Sequence, residues 1–221
     1  MKGRLYMNNK KALNNHHGRI YRHILTSNSK VVQVLYDLEQ IAKKQALPSI
    51  GPVKGKILTS IISKYKPKTI LEVGTLHGYS AILMANLLPK NGKLTTIEKD
   101  TNLAKIARKN VEDAELPCKV EVINTDGLIG IPLLQKQKFD LMFLDAIKSD
   151  YLKYLNLAEK NNLLSDGAVV VADNVLLYRN EMQDYLQYVR DSGRYKSQST
   201  ETTLEFTKNV RDALEVSVRN N

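Results

Sequence analysis

The sequence predicts an α/β fold: a doubly wound sheet of about seven strands, its last pair antiparallel, with helices ahead of it. Three observations carry this. Short apolar runs of strand length alternate with segments of helical periodicity from residue 69 onward. The first run, Thr69 to Val73, passes through Gly74 and Gly78 directly into a helix, giving a strand, glycine loop and helix unit. Glu98 closes the next strand, Leu94 to Ile97, at the sheet edge where parallel α/β folds bind ligands.

Residues 1 to 25 mix Asn, Lys, His and Arg without a clean period and read as a basic N-terminal arm, leaving 26 to 221 as one domain. His16, His17 and His23 have no cysteine or carboxylate at ligand spacing and read as surface. Ser27 or Ser29 is expected to cap a helix with the apolar face Val31, Val32, Val34, Leu35, Leu38 and Ile41, which ends before Leu47-Pro48. Pro48 to Gly55 reads as a loop, and Lys54 to Lys64 as a second helix that Lys66-Pro67-Lys68 breaks. Beyond the glycine loop, helix 79 to 88 leads to strand 93 to 98, and helix 101 to 114 to strand 119 to 123. Phe139 to Leu144 is a fully apolar fourth strand. Helix 151 to 163 and the turn Ser165-Asp166-Gly167 lead to a fifth, Ala168 to Ala172. Helix 181 to 191 ends at Ser192-Gly193, and strands near 195 to 200 and 213 to 218 form the final pair.

Composition narrows the class. No apolar run approaches the roughly 20 residues of a membrane span, and no signal-peptide core is present, so a soluble cytoplasmic protein is expected. A single cysteine, Cys118, excludes an internal disulfide and a cysteine-rich metal site, and reads as a buried thiol. The net charge of +10 is uneven. Residues 1 to 70 hold 14 Lys and Arg against Asp37 and Glu39 alone, whereas the rest of the chain is close to balanced. Such a stretch fits either a nucleic-acid surface or a solvated extension.

The chemistry lies at strand ends. The glycines let a ligand approach the backbone closely, the helix start offers unpaired N–H groups, and the Glu98 carboxylate suits the two hydroxyls of a ribose. Positions 74 to 79 read G-T-L-H-G-Y, so the dinucleotide fingerprint is absent and a nicotinamide oxidoreductase is disfavoured. His77 reads as pocket wall and Tyr79 as helix packing. The fourth strand delivers Asp145 and, one helical turn later, Lys148; the fifth delivers Asp173 and Asn174. Two carboxylates and a carboxamide oxygen are hard ligands that suit Mg²⁺, which acidifies a bound hydroxyl. Lys148 is then placed to take the proton. Bland alternatives stand beside each: Asp173-Asn174 as a turn, Asp145 as a structural partner of Lys148, and Asp126 as a helix cap.

From about Gly51 to Val218 the chain resembles the class I, S-adenosylmethionine-dependent O-methyltransferases of the catechol and caffeoyl-CoA type. It shares K-G at 54 to 55, L-E-V-G-x-x-x-G-Y-S from 71, L-D-x-x-K-x-x-Y at 144 to 151 and A-D-N-V at 172 to 175. The resemblance implies a Rossmann-like sheet, S-adenosylmethionine and a divalent metal, with methyl transfer to a metal-bound hydroxyl, as on a catechol. Glu72, Gly74, Gly78, Ser80, Glu98, Asp126 and Asp145 match cofactor contacts, Asp145, Asp173 and Asn174 metal ligands, and Lys148 the catalytic lysine. Glu205, in L-E-F, falls where catechol enzymes hold a substrate hydroxyl, and Tyr178-Arg179 stands where a gatekeeper proline is expected. Ala46 and Ile147 replace tryptophan walls, implying a wider and less apolar pocket. Two rivals remain: a tRNA methyltransferase acting on wobble 5-hydroxyuridine, using basic residues 1 to 70, and a non-catalytic cofactor-binding module. Caffeoyl-CoA-type relatives are often homodimers.

Overall fold

The structure is a computed structural model that describes residues 28–207 and 209–220. The basic arm, its three histidines and Ser27 lie outside these residues.

Among the described residues two helices come first, α1 (Ser29–Gln45) and α2 (Gly51–Tyr65). The chain then alternates: β1 (Thr69–Val73), α3 (Tyr79–Ala85), β2 (Lys93–Glu98), α4 (Thr101–Asp113), β3 (Lys119–Asn124), α5 (Gly127–Leu133) and β4 (Phe139–Leu144). After a short 3₁₀ turn at Lys148–Asp150 follow α6 (Tyr151–Lys160), β5 (Leu164–Ala172), α7 (Gln183–Asp191), β6 (Tyr195–Thr203) and β7 (Arg211–Arg219). The strands form one sheet of seven in the order β3-β2-β1-β4-β5-β7-β6, with β7 antiparallel to both neighbours. No helix among the described residues is long and apolar enough to cross a membrane.

Both faces of the sheet are covered, which is why its central strands read as continuous apolar runs rather than alternating ones. Ile70, Leu94, Leu141, Phe143, Val169 and Val171 pack under α1 to α4. Their neighbours Leu71, Val73, Met142, Leu144, Val170 and Ala172 pack under α5 to α7. The period of two along each strand thus feeds two separate cores.

Local chemistry explains where the boundaries differ from expectation. Asn28, rather than Ser27 or Ser29, caps α1, its side-chain oxygen accepting from the Lys30 and Val31 N–H groups at 3.0 and 3.4 Å. α2 begins at Gly51, inside the expected loop, because Pro52 is compatible with a first helical turn. Ser165-Asp166-Gly167 is part of β5, not a turn; the register between β4 and β5 shifts there, and Gly167 takes φ +68°. α3 stops at Ala85, three residues early. Cys118 is half-buried, and burial pushes its thiol up to about 11.

Register is what builds a site. Val73 lies opposite both Ile97 and Leu144, and Leu144 opposite Ala172. The residues that follow these four therefore emerge on one edge, which holds Gly74, Glu98, Asp145 and Asp173 side by side.

Candidate active site

That edge floors a cavity of about 760 Å³, within the range of small-molecule sites. Gly74, Ser80, Glu98, Asp126, Asp145, Lys148, Asp173, Asn174, Tyr178 and Glu205 all line it, with His77, Ala46 and Ile147. Glu72 and Gly78 do not. Gly78 has φ +87° and opens α3, so it shapes the turn from behind the wall. Glu72 is fully buried on β1, and neither carboxyl oxygen has a hydrogen-bond partner among the described residues. Burial pushes its carboxyl up to about 8, against the opposing effect of the Ser80 and Thr96 hydroxyls.

At Gly74 the backbone runs at φ +97° against the end of β4. A Cβ here would sit 2.1 Å from the Asp145 carbonyl oxygen, so no side chain fits without moving a strand end. Gly74→Ala is expected to cost at least about 3 kcal/mol and to remove cofactor affinity, checked by thermal unfolding and calorimetry with S-adenosylhomocysteine.

Glu98 does more than face a ligand. One of its oxygens accepts from the Thr75 and Leu76 N–H groups at 3.1 and 2.8 Å, and the other from Asp100 N–H at 2.9 Å. The loop is thus strapped to the end of β2, with one acceptor direction left over of the four a carboxylate offers. Asp126 caps α5 through Leu128 N–H at 2.8 Å and also lines the cavity, so the cap reading and the site reading both hold. Burial lowers the proton affinity of His77, whose carbonyl accepts from Asn110.

On the other side of the cavity, Lys148 Nζ donates to Asp145 Oδ1 at 2.8 Å and to the Tyr151 hydroxyl at 2.9 Å. Tyr151, fully buried, donates in turn to the Asp173 carbonyl at 3.3 Å. Two strand ends are therefore linked through one lysine and one tyrosine. Asp173 is 2 % exposed, and burial next to Asp145 pushes its carboxyl up to about 7 even with Lys54 beside it. Among the described residues no group of three His, Cys, Asp or Glu is poised for a metal. The expected donor set is two carboxylates and a carboxamide.

The substrate-side expectations are modified in one respect. Glu205 lines the cavity, but its Oε1 accepts from the Val53 and Lys54 N–H groups and so caps α2 from the β6–β7 loop. Gly51 leaves the room, since a Cβ there would meet Glu205 Cγ at 2.4 Å. Tyr178 is 39 % exposed on the rim, its ring within 6.0 Å of Lys148 Nζ. Arg179 lies elsewhere, by a smaller cavity.

Sequence reasoning missed three residues. In the sequence Lys54 reads as a helix start and part of K-G, Tyr151 as a helix start and the end of a motif, and Asp212 carries no signal. The structure buries all three against the metal-donor candidates. Glu39 was likewise counted only as charge. It is 1 % exposed, accepts from the Tyr79 hydroxyl at 2.8 Å, and is pushed up to about 7 by burial, with Lys43 opposing and Glu205 assisting.

A carboxyl held above its ordinary 4.5 keeps its proton in the folded state where the unfolded chain has lost it. Stability thus falls as pH rises from about 4.5 to about 7. Glu39→Gln keeps the acceptor for Tyr79 and is expected to flatten that decline, gaining roughly 1–3 kcal/mol at pH 8 and little at pH 4.5. Urea melts across that range check it.

Comparison with known proteins identifies the family. The family model described as O-methyltransferase matches residues 26–211. Catechol O-methyltransferase B of Danio rerio is 39% identical over 174 residues, covering 77% of this chain and 65% of that protein, so the match spans just under two thirds of its length. Catechol O-methyltransferase of Sus scrofa is 35% identical over 179 residues, 79% of this chain and 95% of that one. The crystal structure of an O-methyltransferase from Bacillus cereus in complex with S-adenosylhomocysteine superposes with a TM-score of 0.74 at 27% identity, covering 91% of this chain and 96% of that one. The chain belongs to the O-methyltransferase family.

Proposed function

We propose that the protein transfers a methyl group from S-adenosylmethionine to a hydroxyl of a small hydroxylated aromatic molecule, with one of two adjacent hydroxyls as acceptor. The observation that carries this is the meeting of Asp145, Lys148, Asp173 and Asn174 in the same cavity as the glycine loop. Solved and curated relatives named for this chemistry support it. The acting unit is taken as residues 26 to 221, working in the cytoplasm.

The residues fit both groups the reading needs. Gly74, Ser80, Glu98, Asp126 and Asp145 border the cofactor side, where the absent Cβ of Gly74 leaves the backbone open and Glu98 has one acceptor direction left for a ribose hydroxyl. S-adenosylmethionine supplies a methyl on a sulfonium. Asp145, Asp173 and Asn174 offer hard oxygen donors that fit Mg²⁺, a cation that lowers the proton affinity of a hydroxyl it binds.

The chain's own side chains do the rest. Lys148 is held from two directions by Asp145 and Tyr151; as the neutral amine its Nζ keeps N–H groups for those two partners and a lone pair to receive the hydroxyl proton, becoming the ammonium. The carboxylate of Glu205 and the ring of Tyr178 border the acceptor and orient it. Holding acceptor and donor in line contributes on the order of 7–11 kcal/mol, more than proton transfer alone. Ala46 and Ile147 leave space beside the ring for a substituent.

The test is mass-spectrometric detection of methyl transfer to a simple catechol with Mg²⁺, with and without chelator. Methylation that the chelator abolishes supports the reading. Tight S-adenosylhomocysteine binding with no transfer to any catechol tried would leave a binding module.

A further inference from the structure

Lys54, in K-G, has no place in the chemistry above, yet it is a lysine only 1 % exposed. Its Nζ lies 2.6 Å from Asp173 Oδ1 and 2.6 Å from Asp212 Oδ2. Asp212, at the start of β7, is fully buried. Its Oδ2 also accepts from Asn174 Nδ2 at 2.7 Å, while its Oδ1 accepts from Ala213 N–H at 2.8 Å and Leu177 N–H at 3.1 Å.

These contacts select atoms, not merely charges. An ionised aspartate only accepts, so the side of the Asn174 carboxamide that faces Asp212 must be its NH₂. Its carbonyl oxygen is thereby the end left for the cavity that Asn174 lines. In Asp173, Oδ1 is consumed by Lys54 Nζ and by Asn174 N–H at 2.7 Å, which leaves Oδ2. Asn174 itself sits at φ +65°, a conformation in which asparagine is among the tolerated residues.

A salt bridge buried this deeply is a poor source of net stability, because desolvating the three ions offsets their attraction. We propose that Lys54 and Asp212 are positioning residues: they fix which oxygen of Asp173 and which end of the Asn174 carboxamide face the cavity. The inference rests on the reading of Asp145, Asp173 and Asn174 as cation donors. It assigns no contact with substrate or cation to either residue. Leu177 N–H on the same aspartate ties the segment leading to Tyr178 to this clasp.

The test is a calorimetric titration of Mg²⁺ into the S-adenosylhomocysteine-loaded protein. Asp212→Asn places an NH₂ against two donors, so the Asn174 amide is expected to turn over. Mg²⁺ affinity should fall about 10- to 100-fold, with S-adenosylhomocysteine affinity unchanged. Lys54→Met frees Asp173 Oδ1 but keeps the Asp212–Asn174 bond, and should lower Mg²⁺ affinity several-fold although it removes a neighbouring positive charge, with S-adenosylhomocysteine affinity unchanged.

Wild-type protein that takes up no Mg²⁺ would remove the donor reading, and this inference with it. Wild-type and Asp212→Asn binding Mg²⁺ equally would overturn the inference while leaving the donors intact. Joint loss of Mg²⁺ and S-adenosylhomocysteine binding in Asp212→Asn would show a role in folding only, and also overturn it. Should Asp212→Asn fail to fold, Lys54→Met decides alone: weakened Mg²⁺ binding with S-adenosylhomocysteine affinity kept supports the clasp, and unchanged Mg²⁺ affinity rejects it.

Discussion

Asp173→Ala is expected to lower kcat/KM by at least about a thousandfold, the equivalent of several kcal/mol of charge stabilisation at the acceptor oxygen. Affinity for S-adenosylhomocysteine should stay within about threefold, since Asp173 and the glycine loop belong to different strand ends and share no hydrogen bond. Two titrations decide it, one with the cofactor product and one with Mg²⁺. The substitution also strands Lys54, which keeps Asp212 as its partner, so the protein should remain folded with a lowered Tm. If cofactor affinity disappears with turnover, the division of the cavity into a cofactor half and a cation half is wrong.

Lys148 carries the second large effect. Lys148→Met should slow the methyl-transfer step by about 10²- to 10⁴-fold in single-turnover measurements, as removal of a positioned proton acceptor does elsewhere. Mg²⁺ binding should persist, because the substitution frees Asp145 Oδ1 from its 2.8 Å ion pair. Lys148→Arg separates proton transfer from placement of charge. A guanidinium retains the charge beside Asp145 but does not surrender a proton in proteins, so the arginine variant should be about as slow as the methionine one. A rate near that of the wild type with arginine would assign Lys148 an electrostatic role instead.

The parts of the molecule governed by local rules were legible in the sequence. β1, its glycine loop and the apolar β4 fall where periodicity and turn residues place them, and the register then brings Gly74, Asp145 and Asp173 to one edge. Boundaries set by competition were not. Asn28 displaces two serines as the cap of α1, and Gly167 reads as a turn but is accommodated within a strand.

The less legible half of the site depends on contacts between residues far apart in the chain. Lys54 and Asp212 are 158 residues apart and meet only because β7 inserts beside β5. R-D-A-L gives no hint that its aspartate is buried. Glu205 could be placed in the cavity by resemblance, but its hold on the start of α2 depends on tertiary packing. Glu39 looked like one of two acids relieving a basic stretch, and the structure buries it under Tyr79.

The placement of β7 between β5 and β6 has a consequence for biosynthesis. A nascent chain that has emerged as far as β6 already possesses the glycine loop, Glu98 and the ends of β4 and β5, yet β5 and β6 cannot be joined. Until β7 threads between them, β5 presents an unpaired apolar edge, the kind of surface that invites aggregation. Vectorial synthesis therefore delivers the glycine loop early and Asp212, the partner of Lys54 and Asn174, last.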